Sequence, residues 1–256
     1  MNWRGLLVSV RDPLEAEEAL AGGAAIIDVK DPLAGALGAA SPETAAGVAR
    51  VVAARDWTCA CGELDDGSGI RAGVDRVATL VRRVAGVSPS PPAAVKAGLS
   101  RVAGGEWRHA LGELVARLPG GVGFVAVAYA DHLRAEAPLP EEVIDAAREG
   151  RCAGVLVDTF DKTGPGLFGL AGAATVATWV ARAHAAGLPI ALAGRLSLDD
   201  IDTAVGTAAD LIAVRSAACA ARRGTGAVDG DRLGAVDRHR VSALVSRMAG
   251  ADRAAG

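Results

Sequence analysis

Short apolar runs alternate with longer amphipathic stretches along the whole chain. This alternation is typical of repeated βα units that build a parallel sheet. It predicts eight strands, near residues 5–10, 25–30, 57–62, 93–98, 122–128, 153–158, 189–194 and 210–215. It also predicts eight helices, near residues 13–22, 42–54, 70–86, 106–118, 140–149, 170–186, 197–206 and 231–248.

Helix starts and chain length favour one closed barrel. Ser41 precedes Pro42, and Ser197 precedes an acidic first turn, so both serines are candidate N-caps. Eight βα units of about 33 residues fill a chain of 256 residues. We therefore predict a single (β/α)8 TIM barrel over residues 1–256, with a disordered tail at 249–256. A doubly wound open sheet is disfavoured because no GxGxxG motif follows the first strand.

Composition narrows the choice of partners. Aromatic residues make up only 3% of the chain, which argues against stacking on single-stranded nucleic acid. The net charge is −3 and the positive charges are scattered, so no nucleic-acid partner is predicted. No apolar run approaches the ~20 residues that span a bilayer, and the N-terminal run is too short for a signal peptide. We expect a cytoplasmic protein with no membrane contact. Its Ala- and Val-rich helices are compatible with a homo-oligomer.

Cysteines and histidines give no sign of a metal site. Cys59 and Cys61 alternate along one predicted strand without a second pair at zinc-finger spacing, so small buried residues are expected. The other cysteines are Cys152 and Cys219, and the four histidines are scattered without an HExxH pattern. We predict no metal and no cofactor.

Lysine is rare, and its positions are informative. Of 27 Lys and Arg residues only three are lysines, Lys30, Lys96 and Lys162, and they are spaced 66 residues apart. Each lies at or just beyond the end of an even-numbered predicted strand. Strand ends of a barrel meet at one mouth, where the active sites of such barrels lie. Asp28 points to the same side of its strand as Lys30, and Asp158 ends the sixth strand.

An amine at this mouth can do chemistry that a guanidinium cannot. Arginine stays protonated, whereas a lysine that is desolvated or close to another cation can lose its proton and become a nucleophile. Three neighbouring amines would lower one another's pKa, which suits a Schiff-base lysine. The alternative is that the lysines bind phosphate as point charges.

The loops after the seventh and eighth strands are candidates for phosphate binding, as in many barrels. The predicted substrate- and phosphate-binding residues are Gly194, Arg195, Ser197, Arg215 and Ser216. A bidentate phosphate contact is expected from Arg215. The alternative is that Gly194 only makes a tight turn and that Arg215 is a surface charge. Arg222 and Arg223 are weaker candidates.

Two further groups have open roles. Glu63, Asp65 and Asp66 are either general acids or parts of a solvated turn. Tyr129, near Asp131, either donates a proton or binds substrate, or it is a packed ring whose hydroxyl is hydrogen-bonded.

Motifs along nearly the whole chain resemble one family. They are LLVSVRDPLEAEEALAGGAAIIDVKDPLAGALGA, VKAGL, VAYAD, LVDTFDKTGPGLF, LAGRL and IAVRSAAC, and they are similar to those of (5-formylfuran-3-yl)methyl phosphate synthases of methanofuran biosynthesis. The resemblance implies a barrel that condenses two molecules of the triose phosphate glyceraldehyde 3-phosphate to a furan, releasing phosphate and water. It implies that Lys30 forms the Schiff base and that Lys96 is the proton acceptor. It also implies that Asp28, Asp158 and Lys162 belong to the active site.

Two segments depart from the family pattern, and rival functions use the same residues. The loop CGELDDGSG and Arg195 both differ from the residues expected there.

A class I aldolase acting on another phosphorylated sugar would use the same lysines. A non-catalytic phosphosugar-binding barrel would bind without forming an imine. A sugar-phosphate isomerase is disfavoured because no histidine lies at a predicted strand end.

Overall fold

Eight parallel strands close into a barrel, in the order in which they occur along the chain. The computed structural model describes residues 1–102, 105–221 and 233–255. Each strand pairs with the next, and β8 returns to pair with β1. The strands are β1 Gly5–Val10, β2 Ile26–Val29, β3 Trp57–Glu63, β4 Ala94–Gly98, β5 Gly123–Tyr129, β6 Gly154–Asp158, β7 Ile190–Leu192 and β8 Leu211–Val214.

Helices connect the strands and surround the barrel, which confirms the predicted (β/α)8 fold. They are α1 Pro13–Ala21, α2 Pro42–Val52, α3 Ile70–Val87, α4 Trp107–Arg117, α5 His132–Ala135, α6 Pro140–Glu149, α7 Leu167–Ala185, α8 Ile201–Gly206 and α9 Arg238–Ala255. Two short 3-10 turns lie at Pro32–Ala34 and Ser216–Ala218. The single-turn helix α5 and both 3-10 turns were not predicted.

Capping explains where several helices begin. The side chain of Ser41 accepts a hydrogen bond from the Thr44 N–H, with Pro42 at the first helical position, as the sequence predicts. The prediction for Ser197 is wrong. Its N–H and its hydroxyl both donate to Asp200 Oδ2, so these residues form a turn before α8 begins at Ile201.

Two other helix boundaries differ from the predictions. Helix α7 begins at Leu167, three residues earlier than expected, and is kinked at Gly172, where φ is +71°. Helix α9 extends to Ala255, through residues expected to form a disordered tail. Ala and Arg have high helix propensity, and they dominate this last stretch.

The core has two layers. One lies inside the barrel and includes Leu7, Ile26, Val127 and Leu156, and the other lies between the strands and the helices. All four cysteines are buried, and Cys59 and Cys61 belong to the outer layer. This confirms their expected place as small buried residues. Among the described residues, no helix is both long enough and apolar enough to cross a membrane.

Candidate active site

A cavity opens at the C-terminal mouth of the barrel, and all five predicted catalytic residues line it. Asp28 and Lys30 come from β2 and the residue after it, Lys96 from β4, Asp158 from the end of β6, and Lys162 from the loop before α7. Residues separated by up to 134 positions therefore share one site. The even-numbered strands deliver them because alternate strands of a barrel fill the same interior layer.

The carboxylate of Asp28 is enclosed by three side-chain donors. Lys96 Nζ lies 2.5 Å from Oδ1, Thr58 Oγ1 donates to the same oxygen at 2.7 Å, and Ser9 Oγ donates to Oδ2 at 3.0 Å. Strand register explains this arrangement, because Ser9 and Thr58 are the neighbours of Asp28 on β1 and β3. All four residues are at least 95% buried. The ion pair is therefore held in a fixed geometry away from bulk water.

Asp158 and Lys162 form a second ion pair in the mouth. Lys162 Nζ lies 2.7 Å from Asp158 Oδ1 and also donates to the Thr159 carbonyl at 2.5 Å. The same carboxylate oxygen accepts the Thr159 N–H at 2.7 Å. Burial alone would raise the pKa of Asp158, but the charges of Lys162 and Lys30 and these hydrogen bonds outweigh burial and lower it. Asp158 therefore remains an anion.

Lys30 differs from the other two lysines. Its amine makes no ion pair with a carboxylate among the described residues, whereas Lys96 and Lys162 each make one. Burial, followed by the positive charge of Lys162, lowers the pKa of Lys30 to about 8. Asp158 and Asp28 act in the opposite direction without cancelling the shift. Near neutral pH a usable fraction of Lys30 is therefore the uncharged amine, the form that attacks a carbonyl.

Gly194 and Arg195 form the wall contributed by β7, and both line the cavity. Gly194 has φ +96°, and a Cβ there would lie 2.8 Å from Thr159 Cγ2, so a side chain would strain the turn and collide with the loop after β6. Arg195 Nη1 donates to the carbonyls of Lys162 and Gly164, at 2.9 and 2.6 Å. This wall thus holds the segment that carries Lys162.

The expected phosphate contact of Arg215 does not match its surroundings. Its guanidinium forms a buried, two-pronged ion pair with Glu15 on α1, and it donates to the carbonyls of Ser9 and Gly234, each at 3.0 Å. Arg215 lines the cavity, yet these bonds direct its donors into the protein. Its side chain braces β8 against β1 and α1.

Of the other residues predicted to bind phosphate, Ser216 lines the cavity and Ser197 belongs to a turn outside it. Ser216 begins a 3-10 turn and lines the cavity. Ser197 does not line it, and both of its donors are engaged by Asp200. Arg222 and Arg223 lie outside the described residues.

Glu63 and Tyr129 form a buried contact beside the mouth. The Tyr129 hydroxyl donates to Glu63 Oε1 at 2.6 Å, and the Ser100 N–H donates to Oε2 at 3.1 Å. Burial, together with the Glu63 charge, raises the pKa of Tyr129 well above its usual value. Neither side chain lines the cavity, which favours the packed, hydrogen-bonded alternative for Tyr129.

The remaining acidic candidates organise loops. Asp65 accepts the N–H groups of Gly67 and Gly69, and Asp66 accepts hydrogen bonds from Ser68, so both stabilise a turn at the surface. Asp131 accepts the N–H groups of Phe160 and Asp161 and so fixes the loop after β6. Among the described residues, no group of three or more His, Cys, Asp and Glu side chains could hold a metal ion.

The roles of Ser9 and Thr58 were not predicted from the sequence. Both are polar residues within otherwise apolar strands, GLLVSV and WTCACG, and this is the signal that could have identified them. A hydroxyl inside a barrel strand needs a partner, because a buried polar group without a hydrogen bond is costly. Here that partner is Asp28.

The fold and the mouth define a (β/α)8 barrel with a lysine–carboxylate site. Residues 6–244 match the model of the family described as 4-HFC-P synthase, and the chain belongs to this family. The (5-formylfuran-3-yl)methyl phosphate synthase of Methanopyrus kandleri is 33% identical over 250 residues, which cover 95% of this chain and 98% of that protein. The enzyme of the same name from Methanocaldococcus jannaschii is 33% identical over 246 residues, covering 93% and 97%.

Solved structures agree on the fold. Phosphoribosyl anthranilate isomerase from Thermus thermophilus superposes with a TM-score of 0.59, covering 96% of this chain and 98% of that one. Its sequence identity is 14%, so the likeness shows the barrel architecture alone. The named relatives above support an enzyme that forms (5-formylfuran-3-yl)methyl phosphate.

Proposed function

We propose that this protein is a (5-formylfuran-3-yl)methyl phosphate synthase that condenses two molecules of glyceraldehyde 3-phosphate through a Schiff base on Lys30. Membership of the family and the names of its relatives support the product. One observation carries the mechanism. Lys30 is the mouth lysine whose pKa is lowered to about 8, and among the described residues it lacks a carboxylate ion pair.

The first step joins Lys30 to one substrate molecule. The uncharged amine attacks the aldehyde carbon, and loss of one water leaves an imine between Lys30 Nζ and that carbon. Protonation makes the imine an electron sink, so the neighbouring C–H becomes acidic. When a base removes that proton, the electron pair moves toward nitrogen and an enamine forms.

Lys96 is the base that this proposal assigns. In its resting ion pair Lys96 carries the proton, so it must first pass that proton toward Asp28 Oδ1, across 2.5 Å. The Thr58 and Ser9 hydroxyls hold the carboxylate in place during this transfer. Asp28 is therefore the partner that lets Lys96 alternate between acid and base.

The later steps balance without an oxidant or a reductant. The electron pair of the enamine expels the phosphate on the following carbon and leaves an unsaturated imine that carries an enol hydroxyl. Loss of the hydroxyl proton then makes the terminal carbon the nucleophile for the new bond to the second triose phosphate. Ring closure and dehydration then give the furan, and one water hydrolyses the imine and releases Lys30. Two triose phosphates yield one furan aldehyde phosphate, one phosphate and two waters. Formation of the aromatic ring favours the products.

Lys162 and Asp158 complete the site. The charge of Lys162 helps to lower the pKa of Lys30, and Asp158 holds Lys162 at 2.7 Å. The lysines and arginines of the cavity also make it attractive to phosphorylated substrates.

Product analysis tests this proposal. The purified protein is incubated with glyceraldehyde 3-phosphate, and the furan is followed by mass spectrometry together with free phosphate. One phosphate released per two triose phosphates consumed, with the furan mass, supports the synthase. A coupled six-carbon sugar phosphate without phosphate release would instead indicate an aldolase. Lys30→Arg keeps the charge but cannot form the imine, so it is the matched inactive control.

A further inference from the structure

The cations of the mouth are paired unevenly. Lys96 pairs with Asp28, Lys162 pairs with Asp158, and Arg215 pairs with Glu15. Two cavity-lining cations have no ion pair with a carboxylate among the described residues, and they are Lys30 and Arg195. Lys30 is already assigned to the imine. Arg195 is therefore the second mouth cation available to an anionic ligand.

The guanidinium of Arg195 is only partly used. Both of its hydrogen bonds come from Nη1, which donates to the carbonyls of Lys162 and Gly164. Within the described parts of the chain, Nε and Nη2 have no acceptor. The side chain is exposed at the rim. A guanidinium fixed at one end, with donors remaining at the other, suits a bidentate contact with a phosphate.

The backbone conformation of Arg195 helps to orient its side chain. Arg195 has φ +56°, a left-handed conformation that is uncommon for residues other than Gly, Asn and Asp. The side chain lies against the loop that carries Lys162, where Nη1 reaches the carbonyls of Lys162 and Gly164.

We propose that Arg195 binds the phosphate of a triose phosphate and couples that binding to the position of Lys162. The identity of the ligand rests on the proposed function. Nη1 holds the loop through the Lys162 carbonyl, and the remaining N–H groups hold the phosphate. Arg195 then selects phosphorylated over unphosphorylated aldehydes, and phosphate binding tightens the segment next to the reacting amine.

The binding test uses glycerol 3-phosphate, which has no carbonyl and cannot form an imine. Calorimetric titration compares the wild type with Arg195→Met, Arg195→Lys and Arg101→Met. Arg101 is an exposed arginine of the same face that does not line the cavity, so it controls for general charge. Loss of a charge-assisted contact predicts about ten- to hundredfold weaker binding for Arg195→Met. A smaller loss is expected for Arg195→Lys, and no change for Arg101→Met.

Selectivity gives a second readout. Borohydride trapping at Lys30 is compared for glyceraldehyde 3-phosphate and unphosphorylated glyceraldehyde. In Arg195→Met the ratio of trapping with glyceraldehyde 3-phosphate to trapping with glyceraldehyde should fall about tenfold or more, because loss of the bonds to the Lys162 loop affects both aldehydes and loss of the phosphate contact affects only one. A purely structural brace would slow both reactions equally.

The outcomes separate this inference from the proposed function. Wild-type protein that binds no glycerol 3-phosphate, or an Arg195→Met variant that binds it with unchanged affinity, overturns the role of Arg195. If the wild type makes no furan but Arg195→Met still loses glycerol 3-phosphate, the phosphate site stands and the synthase does not. Circular dichroism checks the fold of each variant, and Arg195→Lys decides the result if Arg195→Met does not fold.

Discussion

Asp28 Oδ1 on β2 lies 2.5 Å from Lys96 Nζ on β4, so an ion pair spans the intervening strand of the barrel. The carboxylate is 1% exposed and the lysine 5%. Thr58, on the strand between them, donates to the same oxygen. The ion pair between Asp28 and Lys96 therefore contributes to the stability of the barrel mouth, and it also holds the proton that the proposed chemistry must move.

Replacing Asp28 by Asn should therefore damage both stability and activity. The amide leaves the buried Lys96 charge without a counter-ion, and breaking such a pair costs about 3–5 kcal/mol. It also cannot take up the proton of Lys96, so furan formation should fall by ~100-fold or more. Urea unfolding and product formation measure the two effects.

Thr58→Val is the milder companion to Asp28→Asn. It removes one hydrogen bond and keeps the ion pair, so a loss of about 1 kcal/mol is expected, with much of the activity retained. Asp28→Asn with wild-type turnover would show that Asp28 is not needed to move the proton of Lys96.

The lowered pKa of Lys30 predicts a pH dependence of imine formation. Because the uncharged amine attacks, the rate at limiting substrate should rise about tenfold per pH unit below the pKa and level off above about 8. Rapid-mixing measurements with borohydride quenching give this profile. A rate that is flat between pH 6 and 8 would contradict the assignment.

Stability should respond to the same group, with a defined sign. The pKa of Lys30 is about 8 in the folded protein and about 10.4 in the unfolded chain. Between these values the unfolded chain binds more protons, so the free energy of unfolding rises with pH across this window. Below pH 8 Lys30 is protonated in both the folded and the unfolded protein, so the full free-energy cost of burying its charge lowers the stability. Lys30→Met should remove this contribution, and paired urea titrations at pH 7.5 and 10 would detect the difference.

Lys162 should shift the pH profile of imine formation through its positive charge. After burial, its charge is the largest cause of the lowered pKa of Lys30. Lys162→Met removes that charge and leaves Asp158 negative, so the pKa of Lys30 should rise. Imine formation at pH 7 should then slow several-fold, and the profile should move to higher pH. Lys162→Arg keeps the charge and should leave the profile nearly in place. An unchanged profile in Lys162→Met would refute this coupling.

Arg215 should behave as a structural residue, in contrast to Arg195. Arg215→Met leaves Glu15 buried without its partner, which should cost about 3–5 kcal/mol. The double variant Glu15→Leu/Arg215→Met removes both charges and should recover much of that loss. Affinity for glycerol 3-phosphate should change little in a folded double variant. Stable folding of Arg215→Met together with loss of phosphate binding would instead support a phosphate contact.

The barrel and the convergence of its lysines could be predicted from sequence because both follow from local patterns. Apolar runs of strand length define the units, and Lys30 and Lys96 lie in or directly after such runs. Parallel strands that close in order bring their ends together, so the five charged residues meet without further information.

The contacts of Arg215 and Ser197 could not be predicted, because they depend on which residues lie next to them in the folded protein. Arg215 meets Glu15 from 200 positions away, and no local pattern encodes that contact. Ser197 precedes acidic residues as a cap would, but Asp200 takes both of its donors, so the helix starts later. Lys30 is the converse case. In the part of the chain that the structure describes it has no carboxylate ion pair, because Asp28 and Asp158 pair with Lys96 and Lys162.

Trapping of the imine is the decisive experiment for a Schiff base on Lys30. The protein is incubated with glyceraldehyde 3-phosphate, reduced with borohydride, digested, and its peptides are analysed by mass spectrometry. A Schiff base on Lys30 should give a reduced triose adduct on that residue, which is lost in Lys30→Arg. An adduct confined to Lys96 or Lys162, or no adduct in protein that forms the furan, would contradict it.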